Sequence, residues 1–493
     1  MRTPDLVVLV LYIAVVVGVG FWFARRSKTS DGFMKAGGRL PGWVIGLSLF
    51  GTYLSSNTFI GVPGKAYAEN WNSFVFSLSI PLAVLVATRW FVTFYRSTGT
   101  ISAYEHLEHR FGTWARIYVV VCYLLTQVAR SATIMLGVAI GLQQVTGWDL
   151  ATIILVAGLL VTTYTLVGGI EAVIWTDAVQ SVVLTAGAVL VAGLLLFGHP
   201  EGAGGAITIA AENQKFSLGS WSFTDLANST VWVVLVYGLF INLTNFGIDQ
   251  NYIQRYHAAS SEKAANRSLW IGAVLYVPVS LLFFLIGALL FSYYQAMPAE
   301  VAAIREMAGD RTFNDSVFPH FIANHLPAGV GGLILAALAA AAMSTIDTSL
   351  NSSATITLKD LWIRLVRRGR EIGEGETMKV LRTATVFWGV VGTGAALLLT
   401  GNAKNVLDIW WQLSGMFAGG MLGLFLLGLV VRRAGNAAAA TGVVIGVFVI
   451  FWLSAAWVPE HLKPVLHANL TIVVGTLTIF LVGLAISSMI KDE

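Results

Sequence analysis

Residues Ala341 to Ser353 read Ala-Ala-Met-Ser-Thr-Ile-Asp-Thr-Ser-Leu-Asn-Ser-Ser, a run of hydroxyl, carboxylate and amide groups inside an otherwise apolar stretch. On a helical wheel with Ser344 at zero, Ala341, Thr348, Asn351 and Ser352 share one face, with Asp347 at one edge and Thr345 at the other. One helix face therefore offers two neighbouring clusters of oxygen, the donor type that hard cations coordinate. A buried Asp at membrane depth is also expensive unless something positive meets it. The competing reading is a small-residue packing seam whose hydroxyls bond back to the i−4 carbonyls.

Two further ionisable residues fall inside apolar stretches. Arg130, in Leu125-Thr-Gln-Val-Ala-Arg-Ser-Ala-Thr133, lies about halfway along its stretch. An arginine costs roughly 2.5–3.5 kcal/mol there, so an anionic group is expected beside it. That group is either an internal carboxylate such as Asp177 or Glu171, or an anionic ligand gripped by the guanidinium fork. Asp177 lies about two turns beyond the Gly168-Gly169 turn in Tyr164-Thr-Leu-Val-Gly-Gly-Ile-Glu-Ala-Val-Ile-Trp-Thr-Asp-Ala-Val-Gln180. It is too deep for an ordinary helix-end residue, although a partnership with the helix dipole remains open.

The elements that position these groups follow from composition. The mean hydropathy is +0.75, and 56% hydrophobic with 11% charged residues excludes a soluble globular domain, which needs roughly a quarter charged. Thirteen apolar stretches of near-bilayer length stand at 5–24, 42–66, 72–97, 116–146, 149–167, 171–197, 229–250, 267–296, 327–360, 379–400, 405–431, 435–457 and 466–489. The first has no small-residue cleavage site before Arg25 and reads as a retained helix. Basic residues concentrate in alternate loops: Arg25, Arg26, Lys28, Lys35 and Arg39, then Arg89, Arg96, Arg110 and Arg116, then Arg255, Lys263 and Arg267, then Lys359 through Arg382, Arg432, Arg433 and Lys491. The opposite loops hold Arg2, Lys65, Lys215, Arg305, Arg311, Lys404 and Lys463. This bias predicts a multi-pass cell-membrane protein with its N-terminus outside and its C-terminus cytoplasmic. The pI near 9.1 is that bias; no nucleic-acid partner is indicated, and lipid is the surrounding partner.

No catalytic constellation is visible. The lone Cys122 gives neither a disulfide framework nor a cysteine metal cluster, and the histidines show no ligand spacing. His106 and His109 share a face of an amphipathic interfacial segment.

The second stretch is interrupted by Gly51-Thr-Tyr-Leu-Ser-Ser-Asn-Thr58 and the seventh by Asn242-Leu-Thr-Asn-Phe-Gly247. Broken helices at corresponding places in two halves point to a transporter site, because unwound backbone there lines a cavity. Taking stretches two to six and seven to eleven as two five-helix repeats places each broken helix first in its repeat. The oxygen-rich helix and the Arg130 helix are then both third.

The Tyr164–Gln180 segment, the Leu54-Ser55-Ser56 break followed by Thr58, and the Ala341–Ser353 run together resemble the sodium:solute symporter family, which includes sodium/glucose and sodium/proline carriers. The resemblance runs through nearly the whole chain. It implies an all-α polytopic membrane protein with a LeuT-type 5+5 inverted repeat and 13 transmembrane helices. The divisions are then a leading helix and loop (1–40), repeat one (41–197), an extracellular loop (198–228), repeat two (229–432) and two trailing helices (433–493). It also implies a common sodium site at carbonyls of Gly51, Leu54 and Ala341 with hydroxyls of Ser344 and Thr345. A second sodium site, found in a subset of members, maps to Asp177, Ser344, Asp347 and Thr348. Members with that site commonly carry serine or threonine where Asp347 stands, which leaves a tighter ion site or a proton-binding group open. Within the family the likeness is nearest to sialic acid carriers, which use an arginine at the position of Arg130 for the sugar acid's carboxylate. Further substrate contacts map to Tyr53, Ser55, Thr58, Ser73, Ser77, Asn242 and Asn245. Tyr53, Ser73 and Ser77 depart from the pattern, replacing a threonine, an aromatic and a glutamine.

Each positive charge moving down about 100 mV is worth about 2.3 kcal/mol, so two sodium ions with a monoanion keep a net electrical gain that one does not. The expected function is sodium-driven uptake of an acidic sugar. A neutral-solute symporter, with Arg130 paired internally, and a non-transporting sensor are the alternatives; the lack of a kinase-sized or receiver-sized domain beyond Ile490 weighs against the sensor.

Overall fold

The computed structural model describes residues 2–24, 29–100, 102–370, 372–401, 405–454 and 458–489. Of the loop charges named above, Arg25, Arg26, Lys28, Lys404 and Lys491 lie outside the described residues. Among the described residues the regular structure is helical, with one isolated bridge between Leu40 and Ala259. The main elements are α1 (Thr3–Ala24), α2 (Gly42–Tyr53), α3 (Val62–Ala68), α4 (Asn72–Thr98), α5 (Thr113–Thr146), α6 (Leu150–Leu166) and α7 (Gly169–Phe197). They continue as α8 (Val231–Ile248), α9 (Gln250–Ala258), α10 (Glu262–Gln295), α11 (Val330–Val366), α12 (Glu374–Leu399), α13 (Val406–Val430), α14 (Asn436–Ser454) and α15 (Ala468–Met489). Ten of them are long and apolar enough to cross a membrane. The other three expected crossings fall on α1, on α6 and on the broken pair α2–α3.

Local chemistry sets the boundaries. Asp149, Thr230, Ser261 and Asn405 cap the starts of α6, α8, α10 and α13, each accepting from a backbone amide of the first turn. Between α6 and α7 the chain reverses at Gly169, whose φ of +62° lies in the left-handed region. A Cβ there would also stand 3.0 Å from Phe33 Cα, so the expected tight turn needs glycine twice over. Near the far end of α11, Arg116 bridges Asp360 (2.5 Å) and Glu108 (2.6 Å), and Arg364 joins Glu108 (2.6 Å). This buried network fastens the start of α5 to the end of α11.

The two breaks differ from one another. α2 stops at Tyr53 and the chain resumes helically at Asn57, where the sequence placed the interruption. The second break falls later than expected: Asn242 to Gly247 stay helical, and the chain turns extended at Asp249 (φ −79°, ψ 120°). Asp249 is a better breaker than Gly247 because its carboxylate caps α9, accepting from Asn251 N at 2.8 Å. Consequently Gln250–Ala258, which lies beyond the expected stretch 229–250, is a buried helical continuation.

Between α10 and α11 the connecting helix Pro298–Asn324 packs on α3 and docks on the start of α13. Asp315 makes that joint, accepting from Asn405 Nδ2 (2.6 Å) and Val406 N (2.9 Å). Burial pushes its carboxyl up to about 7, with the Val406 amide and Lys65 opposing and Asp408 adding to the rise. The folded-state value lies above the ordinary one, so the group favours the fold most below about pH 4, and that contribution is lost as pH rises through about 7. Melting temperature is therefore expected to fall across that window in the wild type and to fall distinctly less in Asp315→Asn. Parallel pH profiles for the two proteins would refute this.

Candidate ion and substrate site

The end of α2 leaves its last carbonyls, Gly51 and Leu54 among them, without the amides of a following turn. Side chains hold the break open: Thr58 Oγ1 donates to Tyr53 O (3.0 Å), Ser56 Oγ to Ile134 O (2.8 Å), and Asn57 Nδ2 to Thr133 Oγ1 (3.1 Å). The last two bonds pin the break to α5, one turn from Arg130. A Cβ on Gly51 would lie 2.4 Å from Ser181 Oγ and 3.2 Å from Asp177 O, so only glycine lets α2 approach α7 this closely.

Ser344, Thr345, Asp347 and Thr348 on α11 are all buried. Ser344 Oγ donates to Asp177 Oδ1 (2.5 Å), which joins α11 to α7 beside Gly51. Thr345 Oγ1 donates back to Ala341 O (3.1 Å), directing its lone pairs away from that carbonyl. The Tyr164 hydroxyl makes a short bond to Asp347 Oδ2, while Asp347 Oδ1 is buried with no hydrogen-bond partner. Thus the residues of both expected ion groups do gather in one region.

What binds Asp177 was not foreseen. Its other oxygen accepts from Ser48 Oγ (2.7 Å) and from Arg255 Nη2 (2.8 Å). The charge bias predicts Arg255 at a loop or helix end, but it is fully buried on α9, with side chains of the pair both 0% exposed. Its Nε donates to Ser48 Oγ (3.0 Å), its Nη1 to Asn251 O (2.9 Å), and the same Nη2 also to Thr348 Oγ1 (3.0 Å). The helix-dipole reading of Asp177 is therefore unnecessary. Of the two buried carboxylates, Asp177 pairs with the guanidinium and Asp347 with the Tyr164 hydroxyl.

Arg130 has an internal partner, but neither Asp177 nor Glu171. Its Nη2 lies 3.3 Å from Asp249 Oδ2 at the second break, and its guanidinium sits 5.1 Å from the centre of the Trp410 ring on α13. Nη1 is buried and has no hydrogen-bond partner. A cavity between the two breaks is lined by Arg130 together with Tyr53, Ser55, Thr58, Ser73, Ser77 and Asn245. Thr52 and Thr345 line it too, so the ion region adjoins it. Ser73 Oγ and Asn57 Oδ1 are likewise buried and unpartnered, leaving donors and acceptors for a polyhydroxylated ligand. Ser77 Oγ pairs with Ser280 Oγ at 2.7 Å. Asn242 is not among the lining residues. It accepts from Tyr53 OH (2.7 Å) and donates to Ser79 Oγ (3.0 Å) and Gly238 O (2.8 Å), so it holds Tyr53 in place. Lining residues that the sequence reading missed include Asn57, Tyr252, Tyr276, Ser280 and Trp410. Asn57 lies in the first break and Tyr252 just beyond the second, whereas Tyr276, Ser280 and Trp410 stand on unbroken helices and carry no such signal.

Apolar helices with two broken passages around a polar cavity have the design of a membrane carrier. Residues 33–446 match the profile of the sodium:solute symporter family, and the chain belongs to that family. It is 32% identical over 496 residues to the sodium/sialic acid symporter NanT of Aliivibrio fischeri, covering 100% of this chain and 94% of that protein. It is 35% identical over 448 residues to the sodium/sialic acid symporter SiaT of Proteus mirabilis, covering 90% and 88%. The fold superposes with a TM-score of 0.90 on a solved sodium-coupled sialic acid symporter in a substrate-bound, outward-open state, described with a novel sodium site. That match has 31% identity and covers 100% of this chain and 99% of the other.

Proposed function

We propose that this chain is a sodium-driven symporter importing a carboxylated monosaccharide of the sialic acid class. The observation that carries the reading is the unpartnered Arg130 nitrogen beside the cavity, which suits a carboxylate. The names of the two bacterial relatives and of the solved structure favour the same substrate. The chain crosses the membrane thirteen times, N-terminus outside, with repeats at 41–197 and 229–432. One sodium lies at Gly51, Leu54, Ala341, Ser344 and Thr345. A second lies at Asp177, Ser344, Asp347 and Thr348, where an ionised Asp347 beside the neutral Asp177–Arg255 pair would leave one negative charge for a cation, sodium or proton, to neutralise. Substrate meets Tyr53, Ser55, Thr58, Ser73, Ser77, Arg130 and Asn245. Asn242 acts on the substrate only through Tyr53.

A neutral solute is the second reading, favoured by the Arg130–Asp249 contact. Uptake of labelled sialic acid into proteoliposomes decides between them. Accumulation is expected with an inward sodium gradient and is expected to drop to the leak level when choline replaces sodium. Equal uptake in both conditions would end the symport reading, and sodium-driven uptake of neutral sugars in preference to acidic ones would favour the second.

A further inference from the structure

Away from the cavity, three side chains that the transport reading does not use converge where the connecting helix meets α10 and α11. We propose that Glu300, His320 and His325 form a binding site for a transition-metal dication of the zinc class. His325 Nε2 lies 2.7 Å from Glu300 Oε2, His320 Nε2 lies 3.9 Å from the same oxygen, and one ligating atom from each residue lies within 4.8 Å of the others. A tetrahedral zinc with bonds of about 2.0–2.1 Å sets its ligand atoms roughly 3.4 Å apart, so small side-chain rotations suffice. Imidazole nitrogen with one carboxylate selects a borderline metal over sodium or magnesium.

The His325 ring is already oriented from behind, as metal-binding histidines are. Tyr293 OH can accept from His325 Nδ1 (3.0 Å), whereas the Asn324 amide nitrogen lies 3.3 Å from His320 Nδ1, so metal binding through His320 Nε2 requires that amide to turn its oxygen to a protonated Nδ1. Tyr294, 1% exposed, has a hydroxyl with no hydrogen-bond partner. Its ring centre is 6.2 Å from that of His320 and 6.1 Å from that of His325. His199 is not part of the set, since its ring nitrogens engage Ser292 Oγ and Glu201 N (both 3.1 Å). The Glu300 side chain is 36% exposed, which provides the entry route. Bound metal would clip the start of the connecting helix to its end, across the kink at Gly309, and so stiffen the segment that Asp315 docks on α13.

Cobalt(II) is the probe, because its visible bands report four- or five-coordinate nitrogen and oxygen ligation without any transport assay. Titrating the purified full-length protein is expected to give one such site of micromolar affinity, displaced by zinc. In His320→Gln/His325→Gln the affinity is expected to fall at least about 30-fold. Glu300→Gln, at a half-exposed position, is expected to weaken it about 10-fold and serves if the double variant fails to fold. His461→Gln is expected to bind as the wild type does. Absence of the bands in the wild type, or unchanged titration in Glu300→Gln together with any folded histidine variant, would overturn the proposal. Neither outcome bears on sodium-driven uptake, which rests on other residues.

Discussion

Arg255→Met is expected to destabilise the protein by about 3–5 kcal/mol and to enlarge its sodium-induced rise in melting temperature, because a cation then compensates the charge left behind. Breaking a buried pair leaves an uncompensated charge in low dielectric, and both members here are fully buried. The loss extends beyond Asp177, because the same guanidinium donates to Ser48, Thr348 and the Asn251 carbonyl. Four elements, α2, α7, α9 and α11, would lose a common tie. Asp177→Asn in the Arg255→Met background is expected to restore part of the stability while the sodium response falls, since one ion ligand is then neutral. A double-mutant cycle by thermal unfolding with and without sodium measures this. An Arg255→Met protein that melts and responds to sodium like the wild type would refute the coupling.

Arg130→Lys is expected to weaken sialic acid binding about 10- to 100-fold with the sodium response preserved. Lysine keeps the charge but loses the planar fork that matches a carboxylate, and hydrogen bonds to charged groups are worth about 1.5–3 kcal/mol. Stability is expected to change little, since Asp249 keeps a cation beside it and still caps α9 through Asn251. Arg130→Gln is expected to lose more affinity and some stability, and Asp249→Asn in that background to regain the stability alone. Titration calorimetry with the sugar acid, run at fixed sodium, separates the two effects. Unaltered affinity in Arg130→Lys would show that the fork does not hold the carboxylate.

The features written locally in the chain were legible. A polar run on one face of an apolar stretch marked α11, and the glycine-bearing interruption before Thr58 marked the first break. Arg130 announced itself by cost alone. Arg255 did not, because Gln250-Asn-Tyr-Ile-Gln-Arg-Tyr-His is polar enough to pass for a loop, and its partner stands 78 residues away. A charge count would have found it: two carboxylates placed in the membrane demand a cation, and one was needed near Asp177. Asn242 misled for the opposite reason. Its residue type suits a ligand contact, but the helix runs on to Ile248 and turns it towards Tyr53 and Ser79.

The Arg130–Asp249 contact has a consequence for the return stroke. A carrier that releases its cargo inside must swing back empty, and a lone guanidinium dragged through the hydrophobic interior would make that step slow. With Asp249 at its side the vacant machine travels as a neutral pair. On the proposed reading, an arriving acid would meet a cation already half engaged, and would give up part of its affinity to a carrier that returns unburdened.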